Sequence, residues 1–438
     1  MLITSSQPGL SFVPRDVLKA MERISRAGFE VWLVGGAVRD FLLGIEPRDW
    51  DLATSAGSKE IVSLFPAVIP VGIRHGTVQV HTRTRDIEVT SFESPGKSGI
   101  LDDLARRDFT VNSMALSYPD GVLLDPNAGR EDLRRGVIRA VGDPRARFLD
   151  DPLRIVRAAR ICGIYGFRIA PATFEAMKED AAKLEQISGE RIREEIIKIL
   201  TSSNLSMAFG LLRQSGALAR ILPALDAAGA RELHEGAGVS ILDHTLSCII
   251  NCPGRIRLRL AALFHESGRS RPLSGRGDPR SGSSSIAVET MKGWNMSSRL
   301  IDEVSTLVGH QICEEAFAWG DARLRRFITQ VGPELLNDFI ALGQAESLSG
   351  GWPQAGGKEQ MDRLAARMKN QLGLISAFSI RELALGGKDI MEILGIGPGP
   401  EVGNVLKHLF DLVQEDPGLN TRESLRGIVE KNYRQANG

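Results

Sequence analysis

Val31-Trp-Leu-Val34-Gly35-Gly36-Ala37-Val-Arg39-Asp40-Phe-Leu-Leu43-Gly44, with Asp49-Trp-Asp51-Leu-Ala53 close behind it, is the stretch that decides the fold. Val31 to Val34 reads as a buried strand, the glycine pair as a turn, and Ala37 to Leu43 as a helix ended by Gly44. Asp49 to Ala53 reads as a second strand. Two glycines between a strand and a helix let backbone N–H groups approach a phosphate, and the helix N-terminus adds partial positive charge. Arg39, one turn in, can supply a fork for phosphate oxygens. Asp49 and Asp51 stand at i and i+2, which on a strand share a face. Two carboxylates there repel unless a cation lies between them, and Mg²⁺ is the usual one. Two such ions can activate an attacking hydroxyl and steady a leaving pyrophosphate. Alone, the pair would read as solvated aspartates at a strand end. The phosphate-type turn just before it reverses that balance.

Outward from this stretch, Pro14 and the stripe Val17, Leu18, Met21, Ile24 predict a helix closed by Gly28. Gly76 to His81 and Asp86 to Thr90 alternate at period two and predict two more strands, and Tyr118-Pro-Asp-Gly turns into another. Glu88, among apolar neighbours, either adds a third carboxylate to the site or faces outward on an edge strand. The chain is thus a small mixed α/β unit up to about residue 145. Beyond it, helical periodicity rich in Ala, Leu, Ile and Arg takes over. Residues 267–285 read as a mobile loop poor in apolar residues, and residues 347–358 as a linker.

The 438 residues suffice for about two to four domains. Hydrophobic residues are 42% and charged residues 25%, which excludes disorder over the whole length. Lys+Arg and Asp+Glu are both 54, so a strongly basic coat for nucleic acid is excluded while local basic faces are not. No apolar run is long enough for a membrane span. MLITSSQPG lacks a basic region before an apolar core, so no secretory signal is read. Cys162, Cys248, Cys252 and Cys313 are too few for a disulfide framework, which predicts reduced thiols and a cytoplasmic protein.

Three further segments carry polar chemistry. Arg106-Arg107-Asp108-Phe-Thr-Val-Asn112 sets adjacent arginines before a short helix, suited to phosphate or base recognition, with Asn112 able to read a sugar or base edge. Asp150-Asp151-Pro-Leu-Arg154-Ile-Val-Arg157-Ala-Ala-Arg160 opens a helix with Pro152 in its first turn. Asp151 and Arg154 are neighbours on one face. They either read a nucleobase edge as acceptor and donor fork, or form an intrahelical salt bridge with Arg157 and Arg160 on a solvated face. Ser188-Gly-Glu-Arg-Ile-Arg-Glu-Glu195 is a helix start of capping type, whose Glu190, Arg191 and Glu194 can brace the previous helix.

Together, LVGGAVRDFLLG, DWDLAT, RRDFTVNSMAL, DDPLRIVRAAR and SGERI resemble the ordered motifs of class II tRNA nucleotidyltransferases, of the polymerase-β-like superfamily shared with bacterial poly(A) polymerases. Arg381 to Asp389, Leu394 to Gly403 and Asn420-Thr-Arg422 resemble the family's tRNA-binding tail. The resemblance implies an α/β head over 1–145, then an all-α neck over 146–225, body over 226–345 and tail over 346–438. It implies Mg²⁺ on Asp49 and Asp51, and the triphosphate on Gly35, Gly36 and Arg39. Arg106, Asp108 and Asn112 would hold the nucleotide and its ribose. Asp151 and Arg154 would pair with the base, and Arg157 is grouped with these nucleotide-binding residues. The implied reaction is template-independent transfer of CMP, and in some members AMP, from CTP or ATP to the tRNA 3′ end. UTP and GTP would leave buried groups unpaired.

Three departures from the family pattern stand out. Position 150 is Asp where the family has Glu. Only Glu93 to Asp103 fill a loop that is longer in many members, which points to CC addition, with full CCA addition or poly(A) polymerase activity as alternatives. The body resembles an HD-type phosphohydrolase, with His244, His265 and Glu266 where an active domain has His and His-Asp. Glu266 in place of Asp, and the lack of a further His, predict a relic without hydrolase activity.

Overall fold

The computed structural model describes residues 9–72, 76–92, 99–234, 238–270, 279–310, 314–350 and 357–433. It divides into two compact units, residues 1–221 and 222–438.

The first unit is built on a seven-stranded sheet. In chain order its strands are β1 (Val31–Val34), β2 (Asp51–Thr54), β3 (Val68–Gly72), β4 (Thr77–His81), β5 (Asp86–Ser91), β6 (Ala115–Ser117) and β7 (Leu123–Leu124), arranged β3-β4-β5-β2-β1-β6-β7. Within this sheet only β2 and β5 pair in parallel; its other ladders are antiparallel. The period-two patterns dictate their faces: Val78, Val80, Ile87 and Val89 turn inward, while Asp86 and Glu88 are exposed. Helix α1 (Arg15–Arg26) buries Val17, Ala20, Met21 and Ile24, the stripe visible in the sequence. Next come α2 (Gly36–Leu42), α3 (Ser58–Leu64) and α4 (Ile100–Ala105). Ile100 and Leu104 pack with Val34, Ala53, Phe92 and Ala115 into one core cluster.

Several expectations shift. Strand β2 begins at Asp51, so Asp49 lies ahead of it in irregular chain. Strands β3 and β6 and helix α3 were not evident as elements. Glu88 is on an interior strand, between β4 and β2, which overturns the edge-strand alternative. The unit continues through α5 (Gly129–Arg135), α6 (Pro144–Asp150), α7 (Arg154–Tyr165), α8 (Pro171–Asp180) and α9 (Gly189–Leu200). Asp150 therefore closes α6, and Pro152 sits in the turn before α7 rather than in its first turn. Ser188 is the N-cap of α9 but makes no side-chain capping bond.

The second unit is helical. Within the stretch read as a mobile loop, a helix begins at Pro279 and runs to Gly293, preceded by a 3₁₀ turn at Ser267–Ser270. Serines there are tolerated because neighbouring Ala287 and Met291 supply a buried face. The helices Leu336–Leu348 and Gly357–Leu374 flank the predicted linker. The tail segment buries Leu385, Ile390, Leu409, Leu425 and Val429 in a core of its own. No helix among the described residues is long and apolar enough to cross a membrane. Cys162, Cys248 and Cys252 are free and buried, and Cys313 lies outside the described residues.

Candidate active site

Gly35 joins β1 to α2 at φ 72° and ψ −134°, a conformation that residues with a Cβ rarely adopt. A Cβ there would stand 2.7 Å from Nη1 of Arg107 and 3.3 Å from Oδ2 of Asp51. The turn is bare because a guanidinium and a carboxylate both come up against it. Arg107 is held from behind by Asp103, which accepts from Nε at 3.1 Å and Nη2 at 3.0 Å.

Asp49 is exposed, Trp50 is buried, and Asp51 is half-buried at the start of β2, directly opposite Glu88 on β5. Burial, and then the charge of Glu88, push the Asp51 carboxyl up to about 6; Asp49 adds to the rise, while Arg107 and Arg157 oppose it. Among the described residues, the oxygens of Asp49, Asp51 and Glu88 do not close into one cluster within 4.8 Å. The donor set is all carboxylate oxygen with an excess of negative charge, which fits a hard divalent cation.

Arg39 is buried. Its Nε donates to Oδ1 of Asp40 at 2.9 Å, Nη1 to Oδ1 of Asn112 at 2.7 Å, and Nη2 to the Tyr165 hydroxyl at 2.7 Å. The Tyr165 hydroxyl donates in turn to Asp40 at 2.6 Å. Arg39 thus directs its fork to protein partners, with its Nη2 3.4 Å from where a Cβ on Gly36 would stand, while the guanidinium against Gly35 is that of Arg107. The sequence reading gave Arg39 to the triphosphate and Arg106 to the nucleotide, and did not single out Arg107; Arg106 is exposed.

From Asn112 the polar chain goes on. Its Nδ2 donates to Oδ1 of Asp108 at 3.0 Å, and Asp108 also accepts from Phe109 N at 2.8 Å. Oδ2 of Asp108 receives Nε and Nη2 of Arg157, each at 2.9 Å. Burial alone would push the Asp108 carboxyl up. The Arg157 charge and these hydrogen bonds overcome it and bring the carboxyl down to about 2. Arg157 and Arg160 both face Glu195 on α9, at 3.8 Å and 2.5 Å, so the solvated-face reading of these arginines is corrected. Glu195 is buried on the Ile192–Ile196–Ile199 face of α9, whereas Glu194 is exposed. That apolar spacing was the signal that could have singled out Glu195. Glu190 lies in the first turn of α9.

Asp151 and Arg154 flank the turn into α7. Oδ1 and Oδ2 of Asp151 accept from Nη1 and Nη2 of Arg191 at 3.1 and 2.7 Å. Arg154 donates to the carbonyls of Arg106 at 3.0 Å and Arg147 at 3.4 Å.

In the second unit, His244, His265 and Glu266 converge within 4.8 Å. The two Nε2 atoms are 3.0 Å apart, and the Nδ1 atoms face the carbonyls of Ser349 and Ala262. Burial holds both imidazoles at about 4, and Glu266 pairs with Arg269.

Residues 31–139 match the Poly A polymerase head domain, and residues 166–228 match the probable RNA and SrmB-binding site of polymerase A. The chain is 32% identical to the CCA-adding enzyme of Limosilactobacillus fermentum over 425 residues, 92% of this chain and 94% of that protein. It is 38% identical over 199 residues to the CC-adding tRNA nucleotidyltransferase of Halalkalibacterium halodurans, covering 45% of this chain and 52% of that one. Among solved structures, the CCA-adding enzyme of Bacillus stearothermophilus in complex with CTP is similar, with a TM-score of 0.73, 27% identity, and coverage of 97% of this chain and 98% of that one. An α/β head carrying the acidic strand start, a helical remainder and likeness along nearly the whole length lead to one conclusion: the chain belongs to the class II tRNA nucleotidyltransferases, polymerase-β-like enzymes that add nucleotides to the 3′ ends of tRNA.

Proposed function

We propose that this protein is a cytoplasmic, Mg²⁺-dependent enzyme that adds the two cytidylates of the tRNA CCA end from CTP. The observation that carries the chemistry is the approach of Asp51 and Arg107 to the bare Gly35 turn, with Glu88 opposite Asp51 on β5. Asp49 and Asp51 would hold the metal, with Glu88 as neighbouring charge. A bound divalent ion supplies Lewis-acid activation of the hydroxyl and charge neutralisation of the leaving pyrophosphate. The protein's own groups do the rest. The Gly35-Gly36 backbone and Arg107 face the triphosphate, with Arg106 at the rim. Asp108 and Asn112, locked by Arg157 and Arg39, orient the nucleotide and its ribose. Asp151 accepts from the amino group of the base, and Arg154 donates to its ring nitrogen. The tRNA 3′-hydroxyl gives up its proton to water as its oxygen forms a bond to the α-phosphorus, and the bond from that phosphorus to the bridging oxygen of the β-phosphate breaks, releasing pyrophosphate.

Restriction to cytidylates is supported by the short connection: residues 93–99 are all that separate Phe92 from the start of α4. Of the predicted segment Glu93 to Asp103, residues 93–98 lie outside the described residues. The second reading, complete CCA addition, is favoured by the names of the relatives similar over the full length.

A transcript ending at its discriminator base, incubated with Mg²⁺ and CTP, ATP or both, separates these readings on a sequencing gel. Two added residues with CTP and no third with ATP support CC addition. A third residue establishes CCA addition, and long ATP-dependent ladders on unrelated RNA indicate a poly(A) polymerase. Asp51→Asn is expected to abolish extension.

A further inference from the structure

We propose that His244, His265 and Glu266 form a second metal site, in the helical unit, which takes a divalent transition-metal ion of the Zn²⁺ class and serves to join helices rather than to hydrolyse phosphoesters.

His244 lies on the helix Ile241–Asn251, and His265 and Glu266 directly follow the helix Ile256–Phe264. Both imidazoles are buried, at 1% and 2% exposure. Nδ1 of His244 stands 3.0 Å from the Ser349 carbonyl, and Nδ1 of His265 stands 2.6 Å from the Ala262 carbonyl. A carbonyl oxygen only accepts, so each Nδ1 carries the hydrogen and donates. In a neutral imidazole, Nε2 then holds a lone pair and no hydrogen. The two Nε2 atoms face each other at 3.0 Å. Two acceptors at that distance repel, and a cation between them turns the contact into an attraction. That cation is either a proton or a metal ion.

The surroundings favour the metal. A Glu266 oxygen joins the two nitrogens, all three ligand atoms lying within 4.8 Å of one another. Two imidazole nitrogens on one tetrahedral Zn²⁺ stand about 3.3 Å apart, given Zn–N bonds of about 2.0–2.1 Å. Burial holds both imidazoles at about 4, which disfavours a shared proton at neutral pH. Each ring is oriented as a ligated histidine is, by Nδ1–H on a backbone carbonyl, and Arg269 steadies the Glu266 carboxylate at 2.5 Å. Imidazole donors suit Zn²⁺, Ni²⁺ or Co²⁺ better than Mg²⁺, which keeps to oxygen. The donor set thus differs from the all-carboxylate set of Asp49 and Asp51. An ion there ties the helix Ile241–Asn251 to the end of Ile256–Phe264 and, through the Ser349 carbonyl, to the end of Leu336–Leu348.

The test uses the full chain, stripped with chelator and kept in excess Mg²⁺ so that the head carboxylates are saturated. Zn²⁺ uptake is followed by calorimetry, and Co²⁺ uptake by its visible ligand-field spectrum. We expect one Zn²⁺ per chain and a melting temperature raised by about 5 °C at a hundredfold excess over Kd. Glu266→Gln is expected to weaken binding at least about tenfold while the chain stays folded. His244→Asn and His265→Asn are expected to abolish it and the Co²⁺ spectrum with it. A wild-type chain that takes up no Zn²⁺ in excess Mg²⁺ overturns the proposal, whatever the variants do. Uptake that survives in both histidine variants overturns it as well, since the ion then sits elsewhere. A histidine Nε2–H signal that persists in nitrogen NMR at neutral pH with Zn²⁺ present would show a shared proton instead of a metal.

Discussion

Oδ2 of Asp108 receives both Nε and Nη2 of Arg157 at 2.9 Å, tying the segment that follows α4 to the first turn of α7, forty-nine residues away. On one side Asp108 fixes Asn112 and, through it, Arg39; on the other, Arg157 faces Glu195. The residues proposed to orient the nucleotide and the start of α7 are therefore parts of one polar chain, and a break at any link should be felt at the others.

Asp108→Asn removes the buried charge that Arg157 neutralises. The Asp108 carboxyl sits at about 2 when folded, against an ordinary 3.8, so its contribution is full above about pH 4 and is lost as pH falls toward 2. The difference corresponds to about 2 kcal/mol. Acid unfolding followed by circular dichroism should show the wild type losing stability across that window. The variant should be weaker at neutral pH and flatter below pH 4. Parallel acid profiles would contradict the pairing.

Gly35→Ala should cost activity far more than stability. The left-handed φ imposes about 1–2 kcal/mol on any residue with a Cβ. The added methyl would meet Arg107 at 2.7 Å and displace it. A shift of this size at a reacting centre costs about 100-fold in rate. Single-turnover CMP addition, with folding checked by thermal melting, measures both.

Tyr165→Phe keeps the ring beneath Arg39 but deletes the hydroxyl that accepts from Arg39 and donates to Asp40. Two charged partners lose a buried bond, which is worth about 1–3 kcal/mol. We expect a lower unfolding midpoint in urea and a raised KM for CTP. An unchanged KM would mean that the strut does not reach the nucleotide site.

His265→Ala tests the body. Phosphate release from a generic phosphoester with Mg²⁺, Mn²⁺ or Ni²⁺ should stay at background in both wild type and variant. Metal-dependent release that the substitution abolishes would show a working hydrolase centre in place of a relic.

The local signals in the sequence were strong where the chemistry is local. The turn at Gly35-Gly36, the Asp49/Asp51 spacing, the helical stripe of α1 and the alternation of β4 and β5 depend only on neighbours within a few residues. Strand β3 was missed because Val68 to Gly72 has no clean alternation. The helix from Pro279 was missed because its serines and glycine mask a buried face that only its neighbours create.

What the sequence by itself determined is the family and the α/β head followed by helices. What only the tertiary structure decided is which partner each charged side chain takes. Arg39 meets Asn112 across 73 residues and Tyr165 across 126, Glu195 rather than Glu194 holds Arg160, and Arg107 rather than Arg106 reaches the glycine turn. The physical reason is that a guanidinium or carboxylate can satisfy itself with many partners. Chain spacing constrains only those within a helical turn or a strand pair, and long-range packing chooses among the rest.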